Sequence, residues 1–419
     1  MRGGNRKNYG GEGAGVMAGA VGVAIAGCGV VGSGVAQMLT KNRGGISRAA
    51  GRDVALKYMV DLRKVEVPEG VALTSDFERV LEDGDVRVLV ETIGGTGVAY
   101  DCTRRALEKG VSVITSNKAL VAAHGDELKR LAAEHGAWYL YEAAVCGGVP
   151  VLRPLNTCLA GNRVSQLSGI VNGSTNYLLT RMELSGLGFP EALGEAKALG
   201  YLEADPADDV EGYDARRKLA ILTNAVFGSR LKDDGLIPTE GIARLTERDL
   251  VCARALHGAV KLIAHAERAG EGWTGWVHPT LVMEGNMLAS VRGVFNALTV
   301  TGDCVGDVTF HGRGAGKLPT ASAVIGDVIE AVRSGCTAAS IERFDSVPAF
   351  VSPDEKPVAL AVRIEGALPE GLPPALRSVQ VDGMTAVLLK PIARAEGMKR
   401  VAALREKGVR AGIPLIVLQ

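Results

Sequence analysis

The chain has 419 residues, 47% of them hydrophobic and 22% charged, a composition typical of a globular protein with room for two or three domains. Its 47 basic and 47 acidic residues balance, and no apolar run approaches the roughly 20 residues that span a bilayer, which argues against nucleic-acid and membrane partners and favours a small-molecule role. Seven scattered cysteines without a CxxC pair argue against a disulfide framework or thiolate metal site and indicate a reducing, cytoplasmic location.

The first strong motif lies in VGVAIAGCGVVGSGVAQML, which predicts a buried strand over 21–26, a glycine turn and then a helix. Gly27, Gly29 and Gly32 stand in the GxGxxG register of dinucleotide-binding turns. Because the turn leads into a helix N-terminus, it predicts a site for a pyrophosphate. A tight turn without a ligand is the alternative, since 55 of the 419 residues are glycine.

The second strand, ALKYMVDL, ends in Asp61, the place where an acid binds the ribose hydroxyls of NAD. Arg63 and Lys64 follow at once, and these cations suit the 2′-phosphate of NADP. The sequence therefore leaves NAD and NADP both open. Ordinary surface charges are the alternative for the two cations.

The segments VRVLVETIGG, YDCTRRALEKG, VSVITSNKAL and GDELKRLAAEHG predict strand, helix, strand and helix in turn. This alternation over 21–145 predicts an α/β doubly wound (Rossmann) nucleotide domain, whose ligands bind at the carboxyl ends of the strands. Thr92, Ser116 and Lys118 fall at those ends. A charge beside the cofactor cleft favours a functional Lys118, with a lysine that reaches into solvent as the alternative.

The stretch YLEADPADDVEGYDARRK (201–218) carries six carboxylates and continues into a helix. Asp214 and Lys218 are four residues apart, so they share one helix face. The helix dipole and burial favour a neutral Lys218 amine while Asp214 favours the ammonium, a balance that suits proton transfer. A surface ion pair is the alternative, but the upstream acids, among them Glu203 and Asp209, suit the ammonium group of an amino-acid substrate.

Several segments, in order, resemble homoserine dehydrogenase: GCGVVGSGV, ETIGG, TSNKALVAAHGDEL, EAAVCGGVPVLRPL, GIVNGSTNYLLTRM, LGYLEADPADDVEGYDARRKLAIL and GRGAGKLPTASAV. They cover residues 21 to 330 densely. The resemblance implies that the chain interconverts L-homoserine and L-aspartate 4-semialdehyde with NADP or NAD, in the biosynthesis of threonine, methionine and isoleucine. It also implies a cytoplasmic homodimer or homotetramer.

The same resemblance implies roles for individual residues. Lys218 matches the proton-transferring lysine of the family, and Glu203 matches its substrate-binding glutamate. Asp209 and Asp214 match carboxylates that hold the substrate and orient the lysine. Lys118, in TSNK, matches the lysine between cofactor and substrate.

The resemblance also implies a monovalent cation, sodium, held by backbone carbonyls at the turn in EAAVCGGVP. Carbonyl ligands leave no side-chain signature, although a glycine-rich bend after Val145 is compatible with carbonyls that point inward. The expected cation ligands are Glu142, Val145, Gly147 and Val149. The expected cofactor contacts are Gly27, Gly29, Val30, Val31, Gly32, Asp61, Arg63, Thr92, Ser116, Lys118 and Gly314.

The segment GRGAGKLPTAS (312–322) predicts a helix that returns to pack on the nucleotide domain. Its small residues would let the backbone approach the nicotinamide, with a simple helix cap as the alternative. Lys317 stands where many members of the family have glycine, so the local charge departs from the family pattern.

The last eighty residues predict strand, short helix at PALRS, strand, strand, helix and strand, the βαββαβ order of an ACT-like module. The glycine-bearing effector turn of such modules is replaced by GALPEGLPP, so a threonine sensor and a dimer-forming domain are both open.

The expected organisation is a flexible extension over 1–20 with Met17 as an alternative start, a Rossmann NAD(P)-binding domain over 21–153, an α+β substrate-binding and dimerisation domain over 154–310, the returning helix over 311–340 and the ACT-like domain over 341–419.

Two other functions compete with this one. An acylating aldehyde dehydrogenase needs a catalytic cysteine with a partner histidine, which the sequence gives no sign of for Cys146 or Cys158. A regulator that senses a nicotinamide cofactor without turnover has no need for Glu203, Asp214 and Lys218 together.

Overall fold

The computed structural model describes residues 19–232, 235–337 and 346–419. The predicted extension lies outside the described residues, apart from its last two positions. Among the described residues, no helix combines the length and the apolar character needed to cross a membrane.

A six-stranded parallel sheet forms the first part of the chain. Its strands are β1 (Val21–Ala26), β2 (Val54–Val60), β3 (Ala72–Thr74), β4 (Val86–Glu91), β5 (Ser112–Thr115) and β6 (Tyr139–Leu140). They lie in the order β3-β2-β1-β4-β5-β6, which is the doubly wound order. The strand order reverses between β1 and β4, and this reversal opens a crevice at their carboxyl ends. The predicted fold class is confirmed.

Helices cover both faces of this sheet, which explains why its strands are continuous apolar runs. Val23 and Ile25 pack on one face and Ala24 and Leu89 on the other, all of them fully buried. The helices of this part are α1 (Val30–Lys41), α2 (Arg43–Ala50), α3 (Phe77–Glu82), α4 (Gly97–Glu108) and α5 (Lys118–Glu134).

A second, nine-stranded sheet carries the rest of the chain. Its strands are β7 (Val164–Ile170), β8 (Gly258–Ala269), β9 (Gly272–Met283), β10 (Phe295–Gly302), β11 (Gly306–Arg313), β13 (Leu360–Glu365), β14 (Ala375–Val381), β15 (Met384–Leu389) and β17 (Leu415–Leu418), while β12 (Pro357–Val358) and β16 (Ile392–Ala393) pair separately. Their order is β11-β10-β7-β8-β9-β17-β13-β15-β14. The helices are α6 (Leu152–Asn156), α7 (Gly173–Ser185), α8 (Phe189–Ala198), α9 (Ala207–Val210), α10 (Tyr213–Phe227), α11 (Glu247–Ala255), α12 (Lys317–Arg333) and α13 (Arg394–Glu406).

The C-terminal residues differ from the predicted βαββαβ order. The predicted short helix at PALRS is wrong, because these residues begin β14, which pairs with β15 along its length. Hydrogen bonding to the free backbone groups of β15 outweighs the helix propensity of these few residues. The C-terminal strands also continue the second sheet, since β17 pairs in parallel with β9.

Helix α12 joins the two halves of the fold. It leaves the second sheet after β11 and packs against α1, as predicted. A Cβ at Gly34 of α1 would lie 2.7 Å from the Lys317 carbonyl oxygen, so the two helices approach closely at the cofactor end. The domain boundaries stay predictions.

Candidate active site

The glycine turn after β1 has the shape of a phosphate-binding loop. Gly27 has a φ of 92°, in the left-handed region, and a Cβ there would lie 2.6 Å from the carbonyl carbon of Thr92. The Thr92 hydroxyl donates to the Gly27 carbonyl oxygen at 2.6 Å. Gly29 precedes α1, and no atom lies within 4 Å of the place its Cβ would take. The N-terminus of α1 is therefore open to a phosphate.

Apolar side chains border this turn. Val30 is 67% exposed and Ile93 is 38% exposed, whereas Val31 packs on the core of the parallel sheet. Exposed apolar groups beside a helix N-terminus suit a ligand that combines phosphates with flat rings. The turn therefore fits a nicotinamide dinucleotide.

The Asp61 carboxylate accepts four hydrogen bonds. Its Oδ2 accepts from the Cys28 N–H at 2.8 Å and from Arg63 Nη2 at 3.0 Å. Its Oδ1 accepts from the Arg63 N–H at 2.9 Å and from Arg63 Nε at 3.0 Å. Arg63 holds the pKa of Asp61 well below its usual range. Four bonds saturate a carboxylate, while the Arg63 side chain stays 69% exposed.

A buried glutamate that sequence reasoning missed shapes the loop after β4. Glu91 is fully buried; its Oε1 accepts from the Ile93 N–H at 2.7 Å and its Oε2 from the Thr115 hydroxyl at 2.5 Å. Burial raises its pKa. An acid at the end of an otherwise apolar strand was the available signal. Glu91 ties the ends of β4 and β5 together at the crevice.

Asp214 forms the centre of the second cluster, at the start of α10. The residue is only 1% exposed. Its Oδ2 accepts from Lys218 Nζ at 2.7 Å, and its Oδ1 forms an ion pair with the Lys118 ammonium. Lys118 begins α5 of the nucleotide-binding part, so one buried carboxylate joins the two parts of the fold. Neither the surface ion pair nor the solvent-directed lysine describes these residues.

The charges in this cluster fix its protonation states. Burial would raise the pKa of Asp214, but the Lys218 and Lys118 ammonium groups outweigh it and hold the pKa well below its usual range. Burial would lower the pKa of Lys218, but the Asp214 carboxylate outweighs it and raises that pKa. Lys218 Nζ also donates to the Val171 carbonyl oxygen at 2.8 Å. Lys218 is therefore held as a positioned ammonium.

Asn172 is a second residue that sequence reasoning missed as a site residue. Its Nδ2 donates to Asp209 Oδ1 at 2.6 Å and to Asp214 Oδ2 at 2.8 Å. Its Oδ1 accepts from the Thr175 N–H at 2.8 Å and caps α7, which fixes the orientation of the amide. Burial raises the pKa of Asp209. Asn172 thus holds two carboxylates side by side.

The other acids of the stretch have different places. Asp208 pairs with Arg217, and Asp205 accepts from the Ala207 N–H at 3.0 Å at the start of α9. Glu203 is exposed in the preceding turn, and no ion pair joins it to another described residue. Asp209 and Asp214 are therefore part of the cluster, and Glu203 is an exposed acid upstream of it.

A turn with buried carbonyl groups follows β6. Val145 and Val149 are 0% and 2% exposed, and Cys146 and Gly147 both have positive φ, 54° and 53°. In the described parts of the chain, no hydrogen-bond donor reaches the carbonyl oxygens of Val145, Gly147 or Val149. The Glu142 carbonyl accepts only a long bond from the Val145 N–H, at 3.4 Å. We call residues 145–149 the carbonyl turn.

The carbonyl turn packs against the loop before α12. A Cβ at Gly147 would lie 2.1 Å from the Gly314 carbonyl oxygen, and one at Gly314 would lie 2.1 Å from the side-chain amide of Asn296. Asn296 is fully buried, and neither of its amide atoms has a hydrogen-bond partner among the described residues. Lys317, the first residue of α12, is exposed. Gly314 thus lies between Gly147 and the Asn296 side chain, with no room for a side chain of its own.

Comparison with known proteins decides the family. The family model described as homoserine dehydrogenase matches residues 150–329, and that of the homoserine dehydrogenase NAD binding domain matches 27–142. A homoserine dehydrogenase of Neisseria gonorrhoeae is 40% identical over 317 residues, which are 75% of this chain and 72% of that protein. The chain belongs to the homoserine dehydrogenase family. It is an NAD(P)-dependent oxidoreductase that interconverts L-homoserine and L-aspartate 4-semialdehyde, in the biosynthesis of threonine, methionine and isoleucine.

Solved homoserine dehydrogenases share the fold. The crystal structure of the enzyme from Thiobacillus denitrificans has a TM-score of 0.87 at 32% identity and covers 96% of this chain and 99% of its own. A hyperthermophilic archaeal homoserine dehydrogenase mutant in complex with NADPH has a TM-score of 0.62 at 27% identity, covering 75% of this chain and 98% of its own. The two family models end before the C-terminal strands.

The geometry of Cys146 bears on the aldehyde dehydrogenase alternative. Burial raises the pKa of the Cys146 thiol to about 12, although the nearby Lys218 ammonium and the Asn296 amide both act to lower it. A nucleophilic cysteine needs the thiolate, which this environment disfavours. Cys146 is therefore a buried thiol that does not suit the role of a catalytic nucleophile.

Proposed function

We propose that Lys218 transfers the proton in the homoserine dehydrogenase reaction, and that Asp214 and Lys118 fix the place where it does so. The observation that carries this proposal is the pairing of one buried carboxylate with two lysines from the two parts of the fold. Lys118 reaches Asp214 from the crevice that holds the glycine turn. The proton donor therefore lies where cofactor and substrate can meet.

The nicotinamide cofactor, when bound, supplies or accepts the hydride. Lys218 donates a proton to the carbonyl oxygen of the semialdehyde in the reductive direction. In the oxidative direction it takes the proton of the homoserine hydroxyl, which requires the neutral amine. Because Asp214 raises the pKa of Lys218, the lysine is an ammonium at neutral pH and can donate the proton for reduction. The rate of oxidation should rise at higher pH, where more of the neutral amine is present.

Asp209 and Glu203 are proposed to bind the ammonium group of the substrate. Asp209 lies beside Asp214 through Asn172, and Glu203 is exposed at the solvent side of the same turn. The two acids would hold the amino acid by its ammonium group while Lys218 meets its hydroxyl. The direct test is replacement of Lys218, which should stop proton transfer while cofactor binding remains.

We further propose that the enzyme prefers NADP over NAD. Asp61 already accepts four hydrogen bonds, so a ribose hydroxyl could bind it only by displacing Arg63. The exposed guanidinium still has donors to offer to a 2′-phosphate. The archaeal neighbour solved in complex with NADPH supports this preference.

Replacing Arg63 with alanine should lower kcat/KM with NADPH by about ten- to a hundredfold, since one charge-assisted hydrogen bond to the phosphate is lost. The kcat/KM with NADH should stay or rise, because the Asp61 carboxylate becomes free to accept from the ribose. Initial rates with both cofactors at fixed semialdehyde measure the ratio. Arg130→Ala, an exposed arginine on α5, should leave it unchanged. An Arg63→Ala enzyme with the parent ratio contradicts the preference.

We also propose that the carbonyl turn binds a monovalent cation such as sodium. The buried carbonyls of Val145, Gly147 and Val149 have no described donor, and such oxygens are costly unless something positive meets them. Glu142 would add its carbonyl, while its carboxylate accepts hydrogen bonds from α6. The residues present therefore fit a cation held by backbone oxygens, whose charge would fix the turn behind Lys218.

Sodium chloride should raise the unfolding temperature above that in choline chloride of the same ionic strength. A cation that binds only the folded enzyme stabilises it by about 2.7 kcal/mol at about 100 times its dissociation constant. Thermal unfolding across a sodium titration measures the midpoint of this response. Equal unfolding temperatures in the two salts at every concentration would rule the site out.

A further inference from the structure

Three charged side chains, two of them buried, lie behind the carbonyl turn: Glu142, Asp327 and Arg153. Glu142 and Asp327 are each 3% exposed, and the Arg153 side chain is 33% exposed. None of the three reaches the cluster around Asp214 directly. Their position between the nucleotide-binding part and the substrate-binding part requires an explanation, because burying the two carboxylates is costly unless each is satisfied.

Glu142 joins the start of the turn to helix α6. Its Oε1 accepts from the N–H groups of Val151 at 2.5 Å and Leu152 at 2.8 Å, and its Oε2 accepts from the Arg153 N–H at 2.6 Å. A carboxylate with three donors at a helix N-terminus is a strong cap. The carbonyl turn lies between the two ends of this contact, so its ends are closed into a loop by one side chain.

Asp327 ties that loop to helix α12. Its Oδ2 accepts from the Glu142 N–H at 2.8 Å, and its Oδ1 accepts from Arg153 Nη2 at 2.5 Å. Gly326, the residue before it, leaves room for the guanidinium, since a Cβ there would lie 2.9 Å from Arg153 Nη1. Asp327 thus holds both ends of the loop: the Glu142 end through its backbone N–H and the Arg153 end through its guanidinium.

The two helices that meet here, α12 and α6, pack on the helices that carry the proposed site. Helix α12 packs on α1, whose N-terminus faces the phosphate turn, and follows directly on the Gly314 loop. Helix α6 packs on α10, which carries Asp214 and Lys218. A change at Asp327 therefore reaches the carbonyl turn from the side of α12 and the lysine helix from the side of α6.

We propose that Asp327 is a positioning residue that, with Arg153 and Glu142, holds the carbonyl turn in the shape that binds the monovalent cation. This inference rests on the proposed cation site. Asp327 touches neither substrate nor cation carbonyl; it acts through the Glu142 N–H and the Arg153 guanidinium. Outer residues of this kind set the affinity of an ion site by orienting its ligands.

The test is sodium binding to Asp327→Asn and to Arg153→Gln, read from the unfolding temperature across a sodium titration against choline chloride. Asn keeps the shape and an acceptor for the Glu142 N–H, but its NH2 group or its neutral oxygen meets Arg153 without the charge. Both substitutions should raise the sodium midpoint about tenfold or more. The double variant should shift the midpoint by less than the two single shifts combined, because both substitutions weaken the same contact between Asp327 and Arg153.

Glu330→Gln is the matched control, with the same loss of charge on the same helix and a half-buried side chain outside the network. It should keep the midpoint of the parent enzyme. Activity at saturating sodium should recover in Arg153→Gln, because sodium binding is weakened and the groups that touch substrate are intact.

The outcomes separate the two proposals. A parent enzyme that responds to sodium, with the same midpoint in Asp327→Asn and Arg153→Gln, overturns the role of Asp327 and leaves the cation site standing. A parent enzyme whose unfolding temperature ignores sodium removes the cation site and this role with it. If Asp327→Asn does not fold, Arg153→Gln decides alone, since its partly exposed side chain can be shortened without leaving an empty core.

Discussion

Replacing Lys218 with alanine should lower kcat by about 100- to 10,000-fold in both directions, the usual contribution of a positioned acid or base. The reason is that buried Asp214 and the Val171 carbonyl hold the Lys218 ammonium in place, and alanine leaves no proton donor at that position. The affinity for the cofactor should change little, because the glycine turn belongs to another helix. Stopped-flow rates of NADPH oxidation and titration of NADPH fluorescence measure the two quantities.

Two further variants sharpen that result. Lys218→Arg keeps a cation beside Asp214 but cannot release its proton at accessible pH, so its kcat should be as low as that of the alanine variant. Lys129→Ala removes an exposed lysine from α5 and should behave like the parent. An alanine variant at Lys218 that is folded and turns over at the parent rate would contradict the assigned proton transfer.

The elements of the nucleotide-binding part could be predicted from the sequence because periodicity and glycine punctuation act locally. The strand over 21–26, the turn at Gly27 and the helix after it all follow from contacts between near neighbours. The same local pattern placed Asp214 and Lys218 on one face of a helix. It could not tell a surface pair from a buried one, because the burial of Asp214 depends on Lys118 and Asn172, which are distant in the chain.

The features that sequence reasoning missed depend on contacts between residues that are distant in the chain. Glu91 and Asn172 act by accepting or donating across elements, and a single acid or amide gives no periodic signal. The short helix at PALRS was predicted from five residues, too few to outweigh pairing with β15. The carbonyl turn was expected only through the resemblance to the family, since its ligands are main-chain atoms.

Asp214→Asn should produce a second large effect, through the charge that it removes. In the parent, Asp214 raises the pKa of Lys218, and kcat/KM for homoserine oxidation should rise with pH toward that raised pKa as the neutral amine forms. Without the carboxylate, burial and the Lys118 ammonium both favour a neutral Lys218, so the rise should move to lower pH. The maximal rate should fall about tenfold or more, because the amine is no longer held in place. Rates across a pH series measure both changes.

The same substitution should also lower the free energy of unfolding, by about 3–5 kcal/mol near neutral pH, because two ammonium groups lose their buried partner. The folded-state pKa of Asp214 is depressed, so its contribution is present above the unfolded value of about 3.9 and is lost as pH falls toward the folded value. The stability difference between parent and variant should therefore shrink in acid. Asp208→Asn, in the exposed pair with Arg217, should cost at most about 1 kcal/mol. Urea unfolding at neutral and acid pH measures the loss of stability in each variant. If Asp214→Asn costs no more than Asp208→Asn, the cluster of Asp214, Lys118 and Lys218 does not hold the two parts of the enzyme together.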